Sequence, residues 1–200
     1  TGTNTVSGAV ALNAGKLDID GTSALSGALS LGGDGAIDIA DGKALTYTGT
    51  AVSLGTRELS LGGSGTLTST NAFNLNHASS ELKITAAGTV NKVSVTANLS
   101  TGITVSENSA ITSLTLGAVA PVLIAEGKRL SGTVSINSGG TLKLTETGSL
   151  ASTVSLNGGT LDIDESLSSS GAYTLSADSA VDIADGKTLT YSGTGLSLGT

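Results

Sequence analysis

The residues with the clearest capacity for chemistry are aspartates that recur at equivalent positions along the chain. Asp18 and Asp38 occupy the same place in two similar short segments, and Asp162 and Asp182 do so in two others. Carboxylates stacked in this way could hold a hard cation such as Ca²⁺, which prefers oxygen ligands. We favour a solvated negative surface that discourages edge pairing, with Ca²⁺ as the alternative and no obligatory cofactor.

Paired acids could also act as the general acid and base of a polysaccharide lyase or hydrolase. Such enzymes need a cleft built from long loops, often with basic residues that bind the substrate. This sequence predicts short turns throughout, and its only arginines are Arg57 and Arg129. The single histidine, His77, has no obvious catalytic partner and is interpreted as a solvated turn residue. We therefore expect no enzymatic activity, and we keep the lyase or hydrolase class as an alternative.

A second set of candidate residues would lie on one outward face. The outward position between two inward apolar residues recurs ten times, and it is serine or threonine in eight of them. Stacked, these side chains would form an uncharged hydroxyl ladder, which is either simply solvated or a packing face for another filament, a glycan or ice. Ice ranks last, because an ice-binding face would favour regular threonine. The possible interaction face comprises Ser30, Ser53, Ser94, Thr115, Ser135, Ser155, Thr174 and Ser197.

Both the aspartates and the outward hydroxyl residues belong to a repeated unit of about twenty residues, and the fold of that unit must position them. Short segments with alternating apolar and polar residues, such as Leu161-Asp162-Ile163-Asp164, are typical of half-buried strands. Nine copies begin at residues 17, 37, 59, 82, 103, 122, 142, 161 and 181, and successive copies are 19 to 23 residues apart. A period this regular indicates a repeat architecture.

Two further sets of apolar residues recur with the same period. One is a pair, as in Val134/Ile136 and Val154/Leu156, and the other is a single residue, as at Leu130. Each repeat therefore holds three short strands, which are stable only when stacked about 4.8 Å from their copies in neighbouring coils. The sequence predicts an all-β fold, a right-handed parallel β-helix or β-solenoid with about 20–21 residues per coil and roughly nine to ten coils.

Composition supports this fold and excludes several function classes. Aromatic residues are 2% of the chain and cysteine is absent, so the core must be narrow and filled by Val, Ile, Leu and Ala. Disorder would require few branched apolar residues and a high charge, and this chain shows the reverse. A net charge of −7 disfavours nucleic acid as a partner. No apolar run approaches the length of a membrane-spanning helix, so we expect no membrane insertion in this segment.

A longer repeat lies above the coil. Residues 37–56 and 181–200 match at 15 of 20 positions with an offset of 144 residues. We therefore interpret the chain 1–200 as one continuous segment, with a super-repeat over 1–144 and a partial second copy over 145–200. Neither end shows the change of composition expected of a cap, and the segment is interpreted as part of a longer array.

The Gly-Gly-Thr-Leu sequences at 139–142 and 158–161, with the wider Gly-x-Leu-x-Leu pattern, resemble β-helices of bacterial surface proteins. Autotransporter passengers and filamentous-haemagglutinin-like adhesins are the groups compared. The resemblance implies a non-enzymatic structural or adhesive segment of a large secreted or cell-surface protein, forming a rigid rod or filament. Its expected partners are further copies of the repeat, filament neighbours and host or matrix glycans. A glycan-binding or ice-binding β-solenoid is the alternative.

Overall fold

Short strands follow one another along the whole chain, separated by turns of a few residues. A computed structural model describes residues 3–199, and no helix occurs within that range. The strands are β1 (Asn4–Val6), β2 (Val10–Leu12), β3 (Lys16–Ile19), β4 (Ser23–Leu25), β5 (Leu29–Leu31), β6 (Gly35–Ile39), β7 (Ala44–Tyr47), β8 (Val52–Ser53), β9 (Glu58–Gly62), β10 (Thr66–Ser69), β11 (Phe73–Leu75), β12 (Glu81–Ile84), β13 (Thr89–Val95), β14 (Gly102–Val105), β15 (Ser109–Leu116), β16 (Val119–Ile124), β17 (Arg129–Asn137), β18 (Thr141–Leu144), β19 (Ser149–Asn157), β20 (Thr160–Ile163), β21 (Leu167–Ser169), β22 (Tyr173–Ser176), β23 (Ala180–Ile183), β24 (Leu189–Tyr191) and β25 (Leu196–Leu198).

Each strand pairs in parallel with the equivalent strand of at least one neighbouring turn. Nine strands form one sheet in the order β23-β20-β18-β16-β14-β12-β9-β6-β3. Fourteen strands form a second sheet, and β2 pairs with β5 in a third. The three sheets wrap into a parallel β-solenoid of about 10 turns, which confirms the predicted fold class.

The interior is a column of aliphatic side chains, as the composition predicts. Leu82 lies opposite Ile103 and Leu142 opposite Leu161, and all four have 0% of their surface exposed. Equivalent residues therefore pack directly over one another along the axis. This stacked burial is the main source of stability, because a single turn could not remove its own apolar face from water.

Two strand segments merge into one in the central turns. β13, β15, β17 and β19 contain 7, 8, 9 and 9 residues, and each spans two of the three registers seen in the sequence. The chain bends within these strands: the pairing register shifts between Ile111 and Leu114, opposite Gly132, whose φ is 121°. The corner between the two faces is therefore a bulge in a continuous strand and not a separate turn.

The structure confirms the predicted stacking of the recurring apolar pairs. Val93 pairs with Leu114, and Val134 pairs with Val154, as their spacing requires. Such pairs align outward residues as well as inward ones, because side chains alternate along a strand.

In the nine-stranded sheet the pairing departs from the predicted spacing at two places. Ile37 pairs with Leu61, whereas the sequence spacing predicts Leu59. Leu59 instead lies opposite Gly35, so β6 offers one more inward position than expected. The shift is two residues, and every side chain therefore stays on its own side of the sheet.

The second departure, at Val122, also arises because one strand of the pair has an extra inward position. Val122 pairs with Leu144 and not with the predicted Leu142, which lies opposite Ala120. β16 contains three inward residues, so two registers bury apolar pairs equally well in principle. A small inward residue at one end of the strand makes such a shift possible without a clash.

In the third register, which has a single recurring apolar residue in each repeat, serine occupies some of the inward positions. The Ser169 hydroxyl donates a hydrogen bond of 2.9 Å to the Leu150 carbonyl, so its polar group is satisfied inside the core. Leucines of neighbouring turns lie opposite such serines at three shifted pairs: Ser23 with Leu45, Ser109 with Leu130, and Ser169 with Leu150.

Tyr47 closes a gap between turns. Its side chain is 1% exposed and its ring packs against Phe73, with centroids 6.2 Å apart. The Tyr47 hydroxyl donates to the Thr50 carbonyl at 2.6 Å and accepts from the Leu29 backbone N–H at 3.1 Å. A side chain therefore satisfies a backbone donor where β5 forms no ladder with β8 among the described strands. Tyr47 is therefore a core residue whose hydroxyl reaches a corner of the solenoid.

Candidate functional site

The predicted hydroxyl ladder is a continuous row over most of the solenoid. Ladder pairs connect Ser53 through Asn74 to Ser94, and the row then continues to the last described turn. The further pairs are Ser94 with Thr115, Thr115 with Ser135, Ser135 with Ser155, Ser155 with Thr174, and Thr174 with Ser197. At the other end, Ser30 pairs with Ala11 in the separate two-stranded sheet.

The row offers hydroxyl groups at the spacing of the turns. Ser53, Thr174 and Ser197 are exposed, whereas Thr115 and Ser155 in the central turns are half-buried. Neighbouring hydroxyls lie about one strand spacing apart, roughly 4.8 Å. The row contains no charged side chain, and the ion pairs of the described chain involve other residues. It is therefore a narrow polar surface that another uncharged surface could approach without desolvating a charge.

The aspartates lie on the outer face of the nine-stranded sheet. Asp18 pairs with Asp38 across adjacent strands, as the sequence predicts. Lys16 Nζ lies 3.1 Å from Asp18 Oδ2 and 3.0 Å from Asp38 Oδ2, so an ammonium group bridges the two carboxylates. That attraction offsets the repulsion between stacked like charges.

The second aspartate pair is arranged differently. Asp162 pairs with Asp182, and Asp162 also lies opposite Lys143 of the preceding turn. Lys143 Nζ lies 3.1 Å from Asp162 Oδ2 and 2.6 Å from Asp164 Oδ2. The lysine therefore joins two carboxylates of one strand, while Asp182 lies exposed in the turn beyond.

Calcium at these aspartates stays a prediction. Within residues 3–199, no group of three or more His, Cys, Asp or Glu residues is placed to hold a metal ion. A cation at Asp18 and Asp38 would compete with Lys16 for the same oxygens. Calorimetric titration with Ca²⁺ tests this, and heat together with a raised melting temperature would support the site.

Three lysines each contact two carboxylates, and these contacts raise the pKa of each lysine. The third is Lys83, whose Nζ lies 2.6 Å from Glu58 Oε2 and 3.6 Å from Glu81 Oε1. Hydrogen bonds to the neighbouring carboxylates raise the pKa of Lys16, Lys83 and Lys143 above the usual range for lysine. These groups bind a proton more tightly in the folded chain than in the unfolded chain.

Replacing Lys143 by methionine should therefore reduce the alkaline loss of stability. Because the folded pKa is raised, the stabilisation is complete below the unfolded pKa of about 10.4 and is lost as the pH rises through the folded pKa. The effect should be below about 1 kcal/mol, since the pair is partly exposed. Urea midpoints between pH 8 and pH 12 measure it.

Lys43→Met is the matched control for that experiment. Lys43 is exposed and makes no ion pair within the described part of the chain. The two variants should differ below pH 10 and converge above the folded pKa of Lys143. Equal stability differences at every pH would contradict the assignment of this ion pair.

Asparagine and serine side chains stack at one corner of the solenoid. Asn157 Nδ2 lies 3.4 Å from Asn137 Oδ1, and the Ser176 hydroxyl donates to Asn157 Oδ1 at 3.0 Å. These contacts join three successive turns. Lone His77 is exposed in a turn, where its Nδ1 accepts from the Ser79 backbone N–H at 3.1 Å, which matches its interpretation as a solvated turn residue.

The contacts of Lys16 and Lys143 with the aspartates were not predicted from the sequence. Lys16 precedes Asp18 by two residues, and Lys143 lies one repeat before Asp162, so both spacings were visible once the strands were aligned. The sequence-based interpretation of the aspartates as a solvated negative surface, with Ca²⁺ as the alternative, did not include these lysines.

The two arginines that were considered as possible substrate-binding residues lie in different parts of the surface. Arg129 lines a groove on a different side from the hydroxyl row, and Arg57 lies exposed in a turn. No helix in residues 3–199 has the length and apolar character needed to cross a membrane.

Comparisons with protein families, with curated proteins and with solved structures found no match to this chain. The chain is therefore defined by its architecture: it is a repeat protein that folds as a parallel β-solenoid of about 10 turns.

Proposed function

We propose that this solenoid is a non-enzymatic structural rod within a large secreted or cell-surface bacterial protein. The observation that carries the proposal is the uninterrupted stack of turns, in which short turns connect every pair of successive strands. A fold built this way acts through length and rigidity, since each turn contacts only its neighbours. About ten turns at about 4.8 Å each span roughly 48 Å.

The finer assignment follows from the sequence resemblance described above. We propose an extracellular location and an adhesive role like that of autotransporter passengers or filamentous-haemagglutinin-like adhesins. Further copies of the repeat are the proposed partners along the axis. The parallel stacking of equivalent residues from turn to turn supports this, as in Val134 on Val154, because a further repeat could extend each sheet in the same way.

The hydroxyl row supports a second role, as a surface for lateral packing or for a glycan. The supporting observation is its continuity from Ser53 to Ser197 without a charged side chain. Uncharged hydroxyls can exchange hydrogen bonds with water for bonds to a neighbouring surface at little cost. An ice-facing role ranks below these, because serine and asparagine interrupt the threonines.

Electron microscopy of the native full-length protein tests the structural role. We expect fibres of uniform width near that of one β-solenoid, or bundles of such fibres. Compact particles without an elongated axis would count against the proposal.

Charge placed on the hydroxyl row separates lateral packing from rod formation. The double variant Thr115→Asp and Ser155→Asp should disperse bundles into single rods. Thr104→Asp, on the outer face of the nine-stranded sheet, is the matched control and should leave the bundles intact. Bundles that survive the double variant would exclude the row as the packing surface.

A further inference from the structure

A polar groove crosses four successive turns at the corner that follows the nine-stranded sheet. Its volume is about 220 Å³, and it is open to solvent. Gly88 forms part of its wall, and a Cβ there would lie 3.0 Å from the Gly65 carbonyl oxygen. Two glycines at equivalent places in neighbouring turns therefore let the backbones of these turns lie close together along the groove.

Arg129 is the only charged residue among those that line this groove. Its side chain is exposed, and within residues 3–199 it forms no ion pair. The neighbouring Glu107 is already paired with Lys128, with 2.6 Å between Oε2 and Nζ. The groove therefore presents a free guanidinium group, whose planar donors match a carboxylate with two parallel hydrogen bonds.

Four more side chains in the groove have unused hydrogen-bonding groups. Ser64, Thr66, Thr89 and Asn108 line the groove and make no side-chain hydrogen bond to the described protein. Other groove hydroxyls are already used: the Ser131 hydroxyl, for example, donates to the Ser109 carbonyl at 3.2 Å. The free hydroxyls and the amide can each donate and accept.

We propose that this groove binds the carboxylate-bearing ring of an acidic sugar. Arg129 would pair with the carboxylate, and Asn108 and Thr89 would bond to hydroxyls of the same ring. Thr66 lies three turns from Arg129, about 14 Å away, and would contact the next sugar of the chain. A sugar acid fits better than an acidic peptide, because the groove is small and its lining is polar, with alanine as its only apolar side chain. The site lies apart from the hydroxyl row, and the proposal stands whether or not copies of the chain assemble.

Isothermal titration calorimetry with an oligosaccharide of alternating glucuronic acid and N-acetylglucosamine tests the proposal. We expect a dissociation constant in the millimolar range and at least tenfold weaker binding to a neutral N-acetylglucosamine oligosaccharide of the same length. Binding to Arg129→Gln should also fall at least tenfold. Raising the salt concentration should weaken the wild-type interaction, since the charges are partly exposed.

Arg57→Gln is the matched control, because it removes the same charge from an exposed turn outside the groove. It should bind the acidic oligosaccharide as the wild type does. Thr89→Val removes one groove hydroxyl at nearly constant volume and should weaken binding a few-fold without altering the guanidinium.

Four results would overturn the proposal, and three of them concern the acidic ligand and the arginines. They are no heat with the acidic oligosaccharide at millimolar concentration, equal losses in Arg129→Gln and Arg57→Gln, and equal affinity for a glutamate-rich peptide. Equal affinity for the neutral oligosaccharide would also exclude a carboxylate as the recognised group. Far-ultraviolet circular dichroism of each variant confirms that the solenoid is folded before the titration.

Discussion

Replacing Leu156 by aspartate is expected to unfold the central turns of the solenoid. The Leu156 side chain is 0% exposed and stacks between Ile136 and Leu175. The variant loses its apolar contacts and places a carboxyl group where no cation or water can reach it. We expect a loss of at least about 4 kcal/mol in the free energy of unfolding, which is at the large end for one substitution.

Ser155→Asp provides the control at the neighbouring position. Ser155 points outward on the hydroxyl row and is half-buried, so an aspartate there reaches water and the expected loss is at most about 1 kcal/mol. Hydrogen exchange is the right measurement, because a stack of repeats can open locally and a single unfolding midpoint can hide that opening. Similar protection of β17 and β19 in both variants would contradict the inward and outward assignment.

Replacing Gly132 by alanine is expected to have the second-largest effect. Its φ of 121° lies in a region that residues with a side chain rarely adopt. An added Cβ would also lie 1.8 Å from the Ile111 carbonyl oxygen, so the backbone of one turn must move. Strain and the lost ladder bonds together should cost about 2–4 kcal/mol.

Gly117→Ala is the matched control for that substitution. Gly117 also lies in the central turns, but its φ is ordinary, and an added Cβ would have its nearest contact at 3.6 Å from the Val95 carbonyl oxygen. Its stability should change by less than about 0.5 kcal/mol. Comparing urea midpoints of the two variants isolates the bend, and equal midpoints would show that the bulge carries no strain.

The architecture could be predicted from the sequence because the same pattern recurs in every turn. Pairs such as Val134 and Val154 lie one repeat apart, and a parallel stack is the arrangement that buries all copies together. Short local signals that would be ambiguous alone become decisive when they repeat. The alignment of outward residues into a hydroxyl row followed from the same regularity.

The exact register could not be predicted, because apolar spacing alone does not define it. Leu59 and Leu61 are equally suitable partners for Ile37, and the inward Gly35 decides between them. Serine is a surface residue on average, but Ser169 is buried because a carbonyl in the preceding turn satisfies its hydroxyl inside the core. Residue type gives an average preference for burial, and the partner atom decides the individual case.

Only part of the candidate site could be predicted, because the repeat defines which residues stack but not where long side chains reach. Stacking of Asp18 on Asp38 followed from the repeat, but the bridging by Lys16 depends on where a long flexible side chain reaches. The groove around Arg129 was not predicted, since its lining residues come from four separate turns that become neighbours only after folding. Sequence periodicity predicts rows of residues more readily than concave surfaces between them.

The two-residue shifts at Ile37 and Val122 bear on how such a chain can change length during evolution. An insertion or deletion of two residues within a strand leaves the hydrophobic side facing inward, so a later turn can simply pair one step along. Loss or gain of one residue would turn that strand inside out. Related chains should therefore vary in strand length by even numbers, with odd changes confined to the connecting turns.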